Sequence, residues 1–175
     1  MQHFCKYLLA TLILLPCLCI SAAAKTTCQS YPSPDRRYCV IVQQVKAARA
    51  IIPESIISIH DRDGKLIARK SYTSADHEHG FSIHQVQWSE DSSYCVWNRT
   101  SSGGHSPWHF PTDCFIANCS SIVQIDTQMK MSLSASHFNL TAPHMLQTQR
   151  LIPNPKSEPQ YQDTAISLDQ LNCIK

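Results

Sequence analysis

Two eight-residue stretches align without gaps, and they limit the possible folds more than any other feature. They are SPDRRYCV, Ser33 to Val40, and SEDSSYCV, Ser89 to Val96, offset by 56 residues. Each copy opens with a turn, because Asp35 and Asp91 offer a short side-chain acceptor to nearby backbone N–H groups. Each then enters a run rich in aromatic and β-branched residues, YCVIVQQV and YCVWNRT. After the first copy, Ser55 to Thr73 alternates, turns at DRDGK and resumes as a strand. Asp63-Gly64 is a strong hairpin signal there, since both residues tolerate positive φ. After the second copy, Asp113 to Thr127 reads as strand, turn at Asn118 to Ser121, and strand. The repeated unit is therefore strand, connection, hairpin.

These segments resemble the repeat of WD40-like and TolB-like β-propeller blades, in which a Ser-Pro-Asp-Gly-type turn opens a strand after a W-S step. VQWSEDSSYCVW, Val86 to Trp97, and YPSPDRRYCVIV, Tyr31 to Val42, carry the resemblance. It implies an all-β, mostly antiparallel fold. Propellers close with about four to eight blades, more than this chain can supply. The expected architecture is one small domain, residues 25–175, in which two blade-like units at about 29–73 and 85–127 pack together. A C-terminal extension follows at 128–175. Little helix is expected. Gln43 to Ile52 reads as either helix or an extension of a strand, and the end of the chain as a strand TAISL or a short helix from Ser167. The segments DHEHG and SGGHSPWH also resemble exported bacterial proteins of no assigned activity, which implies no mechanism.

Residues 1–24 read as a secretory signal peptide. Lys6 precedes the apolar run Tyr7 to Ile20, and Ala22 and Ala24 stand at −3 and −1 for cleavage before Lys25. The run is about 14 residues, short of the roughly 20 that span a bilayer, so no transmembrane segment is expected after cleavage. Pro16 before Cys17 and Leu18 before Cys19 are poor contexts for lipid attachment. The expected location is the periplasm or the extracellular space. The formal charge is +2 and no basic stripe occurs, so nucleic acid is not an expected partner.

Six cysteines lie beyond residue 24: Cys28, Cys39, Cys95, Cys114, Cys119 and Cys173. An even number in an exported chain points to disulfides. Cys114 and Cys119 flank an extended FIAN segment, which would hold them about 16 Å apart, too far for a bridge unless the chain turns. A Cys28–Cys173 staple between the ends is one option. Cys39 and Cys95 also read as buried free thiols.

Histidines mark two clusters on either side of the second repeat, ADHEHGFSIH and GGHSPWH. The two are expected to meet at one rim of the sheet. His77, His79, His105 and His109 are candidate ligands for zinc or copper, with Asp76 or Glu78 orienting them. Ser101, Ser102 and Ser106 beside His105, with Asp113 nearby and Gly103-Gly104 as an oxyanion element, allow a hydrolytic alternative using the 76–84 and 101–110 loops. No G-x-S-x-G elbow accompanies them. The favoured expectation is a non-enzymatic binding domain for a protein or small-molecule ligand. Its ligand-binding residues would be His105, Trp108, His109, Asp76 and Glu78, since aromatic and polar loop residues together suit recognition.

Overall fold

The computed structural model describes residues 25–46, 51–103, 109–153 and 158–173. The chain is mostly antiparallel β with almost no helix. Strands β1 (Lys25–Pro32), β2 (Tyr38–Lys46), β3 (Glu54–Asp61) and β4 (Leu66–Ser71) form a first sheet in the order β1-β2-β3-β4. Strands β5 (Phe81–Trp88), β6 (Tyr94–Ser101), β7 (Thr112–Ile116) and β8 (Ser121–Gln124) repeat that order in a second sheet. The only α-helix among the described residues, α1 (Ile125–Met129), follows β8 directly.

The C-terminal part is more regular than an extension. Strands β9 (Asn139–Thr141), β10 (Met145–Ile152) and β11 (Gln160–Ser167) form a third antiparallel sheet in the order β11-β10-β9. The first four residues of TAISL end β11, and its leucine, Leu168, opens a short 3-10 turn, Leu168–Gln170. Gln43 to Lys46 complete β2 rather than starting a helix.

The repeated turns carry the same hydrogen bonds. In the first, Ser33 N–H donates to Tyr38 O (2.9 Å), Arg36 N–H to Ser33 O (2.9 Å) and Tyr38 N–H to Ser33 Oγ (3.0 Å). In the second, Ser89 N–H donates to Tyr94 O (2.8 Å), Ser92 N–H to Ser89 O (3.0 Å) and Tyr94 N–H to Ser89 Oγ (3.0 Å). Asp35 and Asp91 accept from the serine hydroxyls at 2.8 and 2.7 Å. Arg36 and Ser92 take the left-handed conformation, φ 60 and 64. The repeat is thus the same local structure twice, built around a serine that is donor and acceptor at once.

Sheets stack face to face through alternation along β6. Cys95 and Trp97 face the first sheet, packing with Phe115 against Val40, Val42, Ile57 and Ile59. Tyr94 and Val96 face the third, packing with Cys114 and Ile116 against Leu133, Leu146, Ile166 and Leu168. The second sheet is therefore buried on both faces, and β6 is buried from Tyr94 through Arg99. Neighbouring side chains on a strand point to opposite faces. Cys95 and Cys114 consequently sit in different cores and remain free thiols, and burial pushes both pKa values up.

Cys119 and Cys173 form the one bridge among the described cysteines, with Cα atoms 6.2 Å apart. This corrects the Cys28–Cys173 staple: Cys28 is an exposed free thiol on the edge strand β1, and Cys39 is also free. Cys119 is available because the chain does turn after β7, through a 3-10 turn at Ala117–Cys119.

A histidine latches the third sheet to the second. His144, at φ 63 just before β10, has Nε2 2.9 Å from Asp91 Oδ2 and Nδ1 2.9 Å from Asp169 Oδ1. Tyr94 O–H donates to the same Asp169 oxygen at 3.0 Å. Carboxylates only accept, and a neutral imidazole has a single N–H. Both contacts are hydrogen bonds only when His144 is charged. Burial opposes that charge, but Asp91 and Asp169 outweigh it and raise the His144 pKa.

Candidate functional site

Glu54, the first residue of β3, organises the histidine-rich loop. Its side chain is fully buried, a position that a carboxylate occupies only when its oxygens are satisfied. Here Ser74 donates its N–H (2.8 Å) and hydroxyl (2.6 Å), Gly80 donates its N–H, and Ser102 donates its hydroxyl (3.1 Å). Burial works against ionisation, yet these donors together hold the Glu54 pKa below its ordinary value. Ser102 N–H also donates to Gly80 O at 2.9 Å. One carboxylate thereby gathers the loop before β5 and the start of the loop after β6. Of the expected meeting of the two histidine clusters, residues 104–108 lie outside the described residues, and the contact seen is between Ser102 and the first loop.

Gly80 is required at this junction. A Cβ there would lie 2.2 Å from Tyr72 O and 2.7 Å from the Glu54 carboxyl. Within the loop, Asp76 Oδ1 accepts from Glu78 N–H (3.0 Å) and lies 2.8 Å from the Ser74 hydroxyl, whose single proton is shared between Asp76 and Glu54. Its Oδ2 lies 2.6 Å from His79 Nδ1. The Glu78 N–H, the Ser74 hydroxyl and His79 hold Asp76 well below the usual carboxylate range. The Glu78 side chain is exposed. His77 is not part of an extended segment: it sits at φ 58, with Nδ1 3.4 Å from Glu54 Oε2.

A second buried carboxylate ties the first two sheets together below the loop. Asp113 on β7 is fully buried and meets Lys70 Nζ (2.7 Å), Arg99 Nε (2.8 Å) and the Tyr72 hydroxyl (3.0 Å). Trp97 Nε1–H donates to the Tyr72 oxygen at 2.9 Å. The Arg99 guanidinium is held between the rings of Tyr72 (4.9 Å) and Phe81 (4.6 Å), which fixes it in place. Burial and the Asp113 charge push the Tyr72 pKa far up, so its hydroxyl stays protonated and can donate. An open cleft of about 400 Å³ lies over this network, lined in part by Lys70, Tyr72, His79, Gly80, Phe81 and Arg99.

The candidate residues divide as follows. Asp76, His77, Glu78 and His79 belong to the loop that Glu54 anchors. His109 stands apart, with Nε2 3.1 Å from Asp126 Oδ1 on α1. Asp126 also accepts from the N–H groups of Thr112 (2.7 Å) and Leu133 (3.0 Å). His105 and Trp108 lie outside the described residues. His77, His79 and His109 thus face three different carboxylates and do not converge. Among the described residues no group of three or more His, Cys, Asp or Glu side chains is placed to hold a metal ion. The Ser102 hydroxyl, 3.1 Å from both Glu54 Oε1 and Gly80 O, shares its single proton between these two acceptors rather than pairing with a histidine.

Glu54, Lys70 and Arg99 carry the rim, and no motif points to them. A weak signal exists for Arg99 and Asp113. They are charges on strands without a polar face, and such charges must be paired inside. No family model, no curated protein and no solved structure matches this chain.

Proposed function

We propose that this chain is an exported, non-enzymatic binding domain built on a propeller-type repeat, and that the rim around residues 72–81 and 99–103 holds its ligand. The observation that carries the reading is the convergence of two loops on the buried Glu54, beside an open cleft floored by the pinned Arg99. A loop held by four donors to one carboxylate loses little entropy when a ligand arrives, and such pre-organisation favours binding. The cleft mixes an aromatic wall, Tyr72 and Phe81, with cations and hydroxyls, which suits a polar small molecule or an exposed segment of a partner protein. Residues 1–24 act in this reading as the leader for export to the periplasm or beyond.

The test is a screen of small polar metabolites and peptides against isotopically labelled protein by NMR. Binding at this site perturbs the backbone signals of Ser74, Gly80, Phe81 and Arg99 together, and Lys70→Ala weakens it. Lys70 is a third exposed, and a folded spectrum of the variant certifies the comparison. Perturbations confined to other regions, or none across the screen, would count against the rim. N-terminal sequencing of exported protein should begin at Lys25.

A further inference from the structure

A different pair of histidines is placed for metal chemistry, away from the Glu54 loop. In the pairing of β5 with β6, Ile83 faces Arg99 and Gln85 faces Asn98, so His84 is an extra residue in a β-bulge. Bulges re-aim a side chain and are frequent beside functional sites. Here the bulge presents His84 to solvent, where its ring meets that of the exposed His137, with centroids 5.3 Å apart and planes tilted by 54°. The Phe110 ring centroid lies 6.1 Å from that of His84. Neither imidazole has a hydrogen-bond partner among the described residues.

The surroundings hold the two rings in place. Asn98, fully buried, accepts from the bulge N–H of Gln85 (3.0 Å) and donates to Ala135 O (3.0 Å) and Ser136 O (2.8 Å). The Gln85 amide clamps Phe138, donating to its carbonyl (2.9 Å) and accepting from its N–H (3.1 Å). His84 and His137 each adjoin one residue of this clamp. Their backbones are therefore fixed relative to one another before any ligand binds.

We infer that His84 and His137 form a two-imidazole site for a divalent transition metal ion of the zinc type. Two imidazoles sharing zinc, with Zn–N bonds of about 2.0–2.1 Å and a tetrahedral angle, have ring centres roughly 5 Å apart, and the observed spacing fits that distance. Imidazole nitrogen selects zinc, copper or nickel over magnesium or calcium, which prefer oxygen. Water completes the coordination at an exposed pair. Binding requires neutral imidazoles, so protons compete with the metal and acid weakens the site.

The experiment titrates tag-free, full-length protein with zinc chloride by calorimetry near neutral pH, with magnesium chloride as the control. Saturable uptake of zinc and not of magnesium is expected, with the ring NMR signals of His84 and His137 shifting together. His84→Ala and His137→Ala should each weaken binding by about tenfold or more, since even outer-shell changes at metal sites cost that much. His60→Ala, on β3 of the first sheet and bonded to Ser58 and Gly64, should leave binding unchanged. Both substituted side chains are exposed, so folding is retained and thermal melting confirms it. No saturable uptake, or uptake that survives the double variant, would overturn the site. Neither result bears on ligand binding at the rim.

Discussion

The turns that open β2 and β6 share the backbone hydrogen bonds that close them, but the sheets they start live in different surroundings. The first sheet buries one face, and its other face leaves Cys39, Ile41 and Ile56 half-buried. The second sheet is enclosed on both faces. A turn motif specifies a hairpin and its register. It does not specify how many neighbours the resulting sheet acquires, which depends on what the rest of the chain can stack against it. The second unit also departs from the first in the place of its bulge, at His84 rather than between Ile59 and His60, and in a longer connection between its second and third strands.

The largest effect separates the two sheets by burial. Phe115→Ala in the central sheet should cost about 3–5 kcal/mol, as for other fully buried aromatics. Ile41→Ala on the outer face of the first sheet should cost about 1 kcal/mol or less. Urea unfolding of both variants measures the contrast. Equal losses would mean that the outer face is covered in solution, and the comparison would fail.

A smaller effect tests the likeness of the turns. Ser33→Ala and Ser89→Ala each remove a buried hydroxyl that accepts a backbone N–H and donates to an aspartate. Each should lose about 1–2 kcal/mol, and the two values should agree within error. A large disparity would show that the tertiary contacts of one turn dominate its local bonds.

The smallest effect depends on pH and belongs to the second turn alone. Asp35 pairs with the exposed Arg37, a contact worth little, whereas Asp91 pairs with His144. The folded-state pKa of His144 is raised above 6.5. Its contribution is complete below that value and fades as pH rises through the folded pKa. Burial opposes ionisation of Asp91, but hydrogen bonds from Ser93, Ser89 and His144 lower its pKa. Its contribution is present above its ordinary value of 3.8 and fades in acid. The stability gap between the wild type and His144→Gln should therefore be largest between those limits and shrink on the alkaline side. A gap independent of pH would remove the charged latch.

Much of the fold was legible because its signals are local. The Ser–Asp turn, the Asp63-Gly64 hairpin and the strand-like runs all act within a few residues. The third sheet was harder to read. β9 has three residues, and Pro143 interrupts the segment, so no alternation marks it as a unit. The rim was only half legible. Histidine clusters drew notice to the loops, but the group that gathers them is Glu54, twenty residues before Ser74 and with nothing in its neighbourhood to announce a partner. His137 was one histidine among several until folding set it beside the His84 bulge.

The order of residues alone determined the repeated turn and the antiparallel hairpins, because each follows from the reach of a few consecutive residues. Only the tertiary structure decided which sheet lies in the middle, that Cys119 meets Cys173, and that Glu54, Asp113 and the His84–His137 pair bring distant segments together. Those outcomes depend on contacts between residues far apart in the chain. They are set by the stacking of whole sheets, in which burial of apolar faces outweighs any local preference.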